Sequence, residues 1–428
     1  MCDFTLGHMR RLLGPILLTV ALATTATLTG CTATGGETGA ITTAASTARD
    51  IDLARFDTAD EWRTGRAAGA TVVDDRLRFD SPVGTRRYNG HRYEVARWDS
   101  PWIAPGFSFT ELIASWSAAT PGASWIEVRV RGRSAGTGGS RTSWDVLGRW
   151  ARGDKRIQRS SVSGQTDDGT SVAVDTWRTT GLASYQLRVV LLRGAGGGAR
   201  PSLDLTTAMA SALPSTAGAT STPGPGRGIV LPVPRYSQMV HTGHYPEWGG
   251  GGEAWCSPTS TSMVLGYYDA LPRPRTYRWV AGEHTDPWVD HAARMTYDHT
   301  YDGTGNWPFT TAYAAPLAGK AFVTRLRSLR EAERFIAAGI PLVVSVAFGR
   351  GELDGTPISA SNGHLLVISG FRQNGDVVVN DPASSTRAGV RRTYGRDQFE
   401  KVWLEASGGL AYVIHDQAHP LPSSPGNW

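Results

Sequence analysis

Residues 249–269 read GGGGEAWCSPTSTSMVLGYYD, and this stretch sets the class of the C-terminal half of the chain. The residues from Ser257 to Asp269 predict a helix with Pro258 in its first turn, where a missing N–H costs little. Cys256 therefore lies at a helix N-terminus, where free N–H groups and the helix dipole stabilise a thiolate. The preceding glycines let a substrate approach the backbone closely. The stretch predicts a reactive thiol.

A cysteine nucleophile needs a base, and the base needs a group that orients it. The candidate base is His364, which directly follows Ser361-Asn362-Gly363 and directly precedes an apolar strand at Leu365–Phe371. A histidine at the start of a core strand is held rigidly and can still face a cleft. The alternative is an ordinary hydrogen-bonded histidine at the edge of the core.

A predicted hairpin brings a carboxylate back towards this histidine. Asn374-Gly375 is a strong turn signal, and a two-residue turn there would place Asp381 opposite Ile368, on the face that carries His364. The remaining offset of four residues corresponds to roughly 13 Å at about 3.3 Å per residue. Strand twist or a bulge has to close this gap before Asp381 can orient His364.

Five motifs in this half resemble the C39-like branch of the papain-fold cysteine peptidases. They are Gln238, Ala254–Ser260 (AWCSPTS), Gly305–Phe309 (GNWPF), Asn362–His364 (NGH) and Val379–Pro382 (VNDP). The resemblance covers residues 228–416 and not the N-terminal half. It implies an α+β papain-like peptidase domain with its catalytic residues in the order Cys, His, Asp.

The resemblance also implies a role for each matching residue. Cys256 would attack the scissile carbonyl, His364 would activate the thiol and then protonate the leaving amine, and Asp381 would orient His364. Gln238 and the Cys256 backbone N–H would form the oxyanion hole, where one donor is typically worth about 3 kcal/mol or more. In bacteriocin-processing relatives this glutamine sits six residues before the cysteine, where this chain has Gly250; Gln238 lies eighteen before. No ATP-binding cassette or transmembrane bundle follows, so we do not expect leader-peptide cleavage during export.

Further elements complete the expected α+β domain at residues 228–416, with a tail at 417–428. Ile229–Pro234 is expected to be a short strand, and Ile340–Phe348 a buried one. Ser328–Ala338 is an amphipathic helix, for which Ser328 and Glu331 predict a capping box and Gly339 a stop.

The N-terminal half has a different pattern, with period two and glycine-rich turns from residue 50 to 210. The predicted strands are Ser108–Ser117, Trp125–Val130, Tyr185–Leu192 and Ser202–Leu205. Short strands between turns indicate an all-β sandwich or jelly-roll domain. Its role is open: positioning of substrate, partner binding, or glycan or cell-wall binding through exposed tryptophans. A Pro/Gly/Ser/Thr linker at 211–227 joins the two halves.

The N-terminus predicts export. Arg10 and Arg11 precede an apolar run, Leu12–Leu28, of signal-peptide length, and Leu28-Thr29-Gly30-Cys31 resembles the bacterial lipobox. We therefore expect a signal peptide at 1–30, starting at Met1 or Met9, a lipid on Cys31 and a flexible tether at 31–49. The protein would be anchored by lipid alone at the extracytoplasmic face of the bacterial membrane, or secreted if the lipobox is not used. Of three cysteines, only Cys256 would remain a free thiol.

Composition and the remaining motifs predict no cofactor, no metal and no nucleic-acid partner. The formal net charge of +5 is spread along the chain, and no nucleic-acid motif is present. His241 and His244 form H-x-x-H, and six further residues with ligating side chains follow in one polar stretch: His284, Asp286, Asp290, His291, Asp298 and His299. Their spacing matches no reliable zinc pattern, so solvated loop histidines are the expectation.

The preferred function is extracytoplasmic hydrolysis of peptide bonds in a peptide or protein substrate, through a thioester on Cys256. Two alternatives remain open. One is a catalytically silent binding protein with a papain fold. The other is a cell-wall amidase or acyltransferase that uses the same Cys-His-Asp set.

Overall fold

The computed structural model describes residues 48–136 and 138–428, which are mostly β-sheet with few helices. The predicted signal peptide, the lipidation site Cys31 and most of the tether lie outside these residues. Within them, no helix combines the length and the apolar character that crossing a membrane requires.

The N-terminal half consists almost entirely of strands, which form two antiparallel sheets. In chain order its elements are β1 (Asp50–Phe56), α1 (Ala59–Thr64), β2 (Arg66–Ala68), β3 (Ala70–Val73), β4 (Arg76–Phe79), β5 (Gly84–Tyr88), β6 (His91–Asp99), β7 (Phe109–Ala119), β8 (Ser124–Arg133), β9 (Asp145–Trp150), β10 (Thr166–Asp167), β11 (Thr170–Ala173), β12 (Thr176–Leu182), β13 (Ser184–Gly194) and β14 (Ser202–Ala212). One sheet has the order β10-β11-β12-β7-β14-β4-β3, with β1 on β14; the other has the order β2-β6-β13-β8-β9, with β5 on β6.

The four strands predicted here are confirmed, to within a residue at their starts, as parts of β7, β8, β13 and β14. Aromatic side chains join the two sheets: the rings of Phe56 and Trp98 lie 5.0 Å apart, and those of Phe109 and Tyr185 5.6 Å apart. Such edge-on pairs add about 0.5–1.5 kcal/mol to the burial of their area. The long run of buried residues in β7 arises because its second face also is covered, by the C-terminal half.

The C-terminal half carries the remaining helices and a third antiparallel sheet. Its elements are α2 (Cys256–Tyr267), α3 (Pro287–Thr296), α4 (Trp307–Ala318), β15 (Lys320–Arg325), α5 (Leu329–Ala337), β16 (Leu342–Phe348), β17 (Ser361–Phe371), β18 (Val377–Asn380), β19 (Arg391–Tyr394), α6 (Arg396–Ser407) and β20 (Leu410–His415). The sheet order is β15-β20-β16-β17-β18-β19, and α2 packs against β17.

Two local predictions in this half are wrong. Ile229–Pro234 forms no strand, because Pro232 and Pro234 lack the N–H donors that a ladder needs. It makes one isolated bridge to β17, from Val230 to Gly370. The capping box at α5 is absent, since the Ser328 side chain makes no cap bond and Glu331 accepts from the backbone N–H of Arg327 instead. The left-handed Gly339 (φ +76°) ends the helix as predicted.

The predicted linker, 211–227, begins within β14, and its residues 213–227 run along the C-terminal half and are bonded to it. The buried Glu333 carboxylate accepts from the backbone N–H of Gly224 at 2.5 Å and from Arg396 at 2.7 Å. The same arginine donates to the Ser221 carbonyl at 2.6 Å. The two halves also share one hydrophobic core, in which Phe309 on α4 packs against Trp116 and Trp150.

Candidate active site

Cys256 is the first residue of α2, directly after the fully buried Trp255. Its thiol is half-buried, and the backbone N–H groups of Ser257 and Leu365 lie within hydrogen-bonding reach of the sulfur. The start of α2 and the neighbouring strand β17 therefore each supply a donor for a thiolate.

His364 lies on β17 and brings its imidazole between this thiol and a carboxylate. It is only 3% exposed. Its Nε2 atom lies 2.8 Å from Oδ1 of Asp381, and the side chain is also hydrogen-bonded to the Cys256 thiol. Since Nε2 is occupied by the carboxylate, Nδ1 is the nitrogen left for the sulfur. The structure thus brings together three of the four predicted catalytic residues.

A change of register in the hairpin closes the gap that the sequence left between His364 and Asp381. Phe371 pairs with Val377, so the turn is longer than two residues, and the pairing shifts again around Ser369. Beyond this bulge Val367 pairs with Asn380, so Asp381 follows opposite Leu366 rather than Ile368. The offset falls from four residues to two, which the side chains span.

The Asp381 carboxylate is fixed by donors other than His364. The Tyr394 hydroxyl, at the end of β19, donates to Oδ2 at 2.7 Å, and the Ala383 backbone N–H donates to Oδ1 at 3.0 Å. Sequence analysis missed Tyr394, and the only available signal was its place on the strand next to β18.

The electrostatics of the site favour a thiolate–imidazolium pair. Burial alone would raise the pKa of Cys256, but the hydrogen bond and charge of His364 outweigh it and hold that pKa below its ordinary value. Burial alone would lower the pKa of His364, whereas Asp381 and the sulfur raise it to about 10. Burial also opposes ionisation of Asp381, yet His364 and Tyr394 keep its pKa below the usual range.

Gln238 lies on a short 3₁₀ helix, Gln238–His241, and reaches the loop that leads to the thiol. Its Nε2 donates to the Glu253 carbonyl at 2.5 Å, and its backbone N–H donates to the Pro382 carbonyl at 2.9 Å. Within the described residues its Oε1 has no hydrogen-bond partner. The chain between Gln238 and Cys256 therefore folds back on itself. Gln238 links the segment after Asp381 to the segment before Cys256.

The N-terminal half supports a loop beside the thiol. Buried Asp298 organises this loop and accepts a bond from the Ser161 backbone N–H at 2.9 Å. Tyr301, 44% exposed, follows in the same loop. Burial raises the pKa of its hydroxyl, and the charges of Asp175 and of the Cys256 thiolate add to this effect. Asp175 accepts from the Trp307 N–H at 2.8 Å, at the start of α4, and burial raises its pKa to about 7. Sequence analysis identified neither Tyr301 nor Asp175.

Four of the five histidines expected to be solvated are not, so that expectation is wrong for them. The side chains of His244 and His284 are only 18% and 15% exposed. His241 and His291 are buried, and His291 is hydrogen-bonded to the Tyr313 hydroxyl at 3.1 Å. His299 is exposed, as expected.

Comparison with protein families covers both halves of the chain. Residues 52–211 match the Peptidase C39 N-terminal domain, and residues 230–411 match the Peptidase_C39 like family. A search of curated proteins found no match. The two family matches agree with the resemblance carried by the Cys256 and His364 motifs, and the chain belongs to the C39-like peptidase family.

Proposed function

We propose that the protein is a cysteine peptidase that hydrolyses peptide bonds through a thioester on Cys256. The observation that carries this proposal is the contact of His364 with the Cys256 thiol on one side and with Asp381, at 2.8 Å, on the other. A nucleophile, a base and an orienting carboxylate in this order are what acyl transfer by a thiol requires.

The reaction follows from the protonation states of the pair. The Cys256 thiolate attacks the scissile carbonyl, and the tetrahedral oxyanion accepts from the Cys256 backbone N–H and the Gln238 amide. The intermediate collapses to a thioester as the His364 imidazolium protonates the leaving amine. Neutral His364 then takes a proton from water, which attacks the thioester and releases the carboxylate product and the thiol.

The proposal includes a finer fold assignment. The C-terminal half is a papain-like α+β domain, which is supported by α2 packing against an antiparallel sheet that carries His364 and Asp381. The N-terminal half is a β-sandwich or jelly roll, which is supported by the aromatic contacts between its two sheets.

Two other functions use the same residues. A silent papain-fold binding protein would not need the buried, mutually bonded His364 and Asp381, so their contact argues against it. A cell-wall amidase or acyltransferase would resolve the same thioester with water or an amine, and the site itself does not separate it from a peptidase.

A trapping experiment tests the proposal and separates these functions. The purified chain is incubated with a peptide library or with peptidoglycan fragments, and products and covalent adducts are followed by mass spectrometry. A peptidase forms an acyl adduct on Cys256 and cleaves peptides; the Cys256→Ala variant does neither. Turnover of peptidoglycan fragments alone, or products joined to an added amine, would replace the proposal with the amidase or transferase. If neither substrate forms an adduct, the catalytically silent binding protein becomes the favoured function.

The proposed location is the outer face of the bacterial membrane, through a lipid on Cys31. The N-terminal half is proposed to position substrate beside the thiol, as the bonds from Ser161 and Asp175 support. Glycan or cell-wall binding has less support, because six of its tryptophans are buried: Trp62, Trp98, Trp116, Trp125, Trp150 and Trp177. Trp102 and Trp144 are half-buried beneath arginines. Incorporation of a labelled fatty acid that is lost in Cys31→Ala would establish the anchor.

A further inference from the structure

Three imidazole rings converge on the Asp290 carboxylate, at a place distinct from the Cys256 thiol. Nδ1 of His241 lies 3.1 Å from Oδ2 of Asp290, and Nδ1 of His244 lies 3.0 Å from Oδ1. Nδ1 of His284 lies 3.3 Å from the same Oδ1. The rings of His244 and His284 are stacked 3.4 Å apart and nearly parallel, so both present the same edge to the carboxylate. Asp290 and His241 are fully buried.

Hydrogen bonding accounts for only one of these three contacts. His244 makes an aligned hydrogen bond to Oδ1. His241 Nδ1, His284 Nδ1 and Asp290 Oδ2 have no hydrogen-bond partner in the part of the chain that the structure describes, despite their short separations. Both ring nitrogens of His241 are in this state. Buried polar atoms are almost always bonded, so polar atoms that meet without alignment indicate a common ligand between them.

The donor set and its spacing fit a zinc ion. Zn²⁺ favours tetrahedral sites built from imidazole nitrogen and carboxylate oxygen, with ligand atoms about 2.0–2.2 Å from the metal, which puts neighbouring ligands roughly 3.4 Å apart. The three nitrogen–oxygen distances of 3.0–3.3 Å lie close to this spacing. We propose that one Zn²⁺ binds to His241, His244 and Asp290, whose ligating atoms all lie within 4.8 Å of one another, and that His284 turns to complete its shell, contrary to the sequence-based expectation of no metal.

Four protein ligands fill a tetrahedral shell, so this zinc would be structural rather than catalytic. It would join the segment between Gln238 and Cys256, through His241 and His244, to the start of α3. The His241 ring lies 6.0 Å from that of Trp255, the residue before the nucleophile. Gln238 begins the same 3₁₀ helix that His241 ends. The ion would therefore fix the long loop that brings Gln238 to the active site.

The proposal has a direct test in the metal content of the untagged, full-length chain. We expect about one zinc per chain, its loss on treatment with a chelator under mildly acidic conditions, and its return on addition of ZnCl₂ with recovery of the thermal midpoint. Replacement by Co²⁺ should give the visible absorption of a tetrahedral nitrogen and oxygen site. His284→Ala and Asp290→Asn should retain less than about a tenth of the metal.

The matched control is His291→Ala, which removes the histidine next to Asp290 on α3 but none of the converging atoms. It should keep the full zinc content even if it unfolds at a lower temperature. Wild-type chain that contains no metal and neither takes up Zn²⁺ nor gains stability from it would overturn the proposal. So would equal zinc content in the wild type and in His284→Ala. These readouts do not depend on peptidase activity, so they stand apart from the proposed function.

Discussion

Nε2 of His364 and Oδ1 of Asp381 lie 2.8 Å apart, and this contact fixes which ring nitrogen meets the Cys256 thiol. The carboxylate accepts from Nε2, so the imidazolium presents Nδ1–H to the sulfur. Because the Asp381 carboxylate is itself held by Tyr394 and by a backbone N–H, the ring has little freedom to turn away. The reactivity of the thiol should therefore depend on His364 and, through it, on Asp381.

The first prediction concerns alkylation of Cys256 by iodoacetamide as a function of pH. The lowered pKa of the thiol means that its thiolate persists as the pH falls, so labelling should be fast near pH 6. In His364→Ala the pKa should return towards about 8.5, where less than about 1% is thiolate at pH 6, and labelling should slow by about a hundredfold. Mass spectrometry of the Cys256 peptide measures both rates.

The control for this prediction is His91→Ala, which removes an exposed histidine of the N-terminal half, outside the loop that carries Tyr301. It should label at the wild-type rate. Wild-type labelling that begins only above about pH 8, with no effect of His364→Ala, would remove the chemical basis of the peptidase proposal.

The second prediction concerns Tyr394, which acts through Asp381 and does not touch the thiol. Tyr394→Phe removes one hydrogen bond to a buried carboxylate, a loss of about 1.5–3 kcal/mol. If this hydroxyl positions the carboxylate for catalysis, kcat should fall by about tenfold or more with KM little changed. Tyr268→Phe is the matched control, since the Tyr268 hydroxyl has no hydrogen-bond partner among the described residues. Equal kcat in both variants would reduce Tyr394 to a structural role.

The third prediction separates Gln238 from the thiol–imidazole pair. If its amide stabilises the oxyanion, Gln238→Ala should lower kcat by about a hundredfold. Alkylation of Cys256 forms no oxyanion, so its rate and pH dependence should match the wild type. Gln373→Ala, at an exposed glutamine, should change neither measurement. A parallel loss of alkylation and of kcat in Gln238→Ala would mean that the loop before Cys256 has collapsed and that the residue is structural.

The sequence predicted the parts of this site that depend on local patterns. The helix beside Cys256 and the strands on either side of the hairpin follow from periodicity and turn signals. The strand at His364 begins four residues earlier than expected, at Ser361, so His364 lies within it rather than before it. The family resemblance supplied the pairing of Cys256 with His364. The sequence placed Asp381 on the same face as His364 but four residues away. The longer turn and the irregularity at Ser369, which together shift the pairing by two residues, could not be predicted.

Other features required the tertiary structure. His284 lies forty residues beyond His244, and no local pattern fixes the distance between their loops. Tyr394 reaches Asp381 because β19 pairs with β18, which its own four-residue strand does not reveal. The capping box at Ser328 failed because Glu331 has other donors nearby, Arg327 and Asn427. In each case a long-range contact determined the outcome.

The last prediction concerns the pH dependence of stability through Asp175, where the N-terminal half meets α4. Burial raises its pKa to about 7, above an unfolded value of about 3.9, so the folded state binds this proton more tightly than the unfolded state does. The contribution of Asp175 to stability is therefore full below about pH 4 and is lost as the pH rises to about 7, by at most about 4 kcal/mol.

Asp175→Asn keeps an acceptor for the Trp307 N–H and cannot ionise. Relative to this variant, the wild type should become progressively less stable from about pH 4 to about pH 7 and change little above that, as measured by chemical denaturation at each pH. Asp80→Asn, at an exposed aspartate, should follow the wild-type curve. Parallel curves for the wild type and Asp175→Asn would show that Asp175 ionises with an ordinary pKa and that its place beside α4 is open to water.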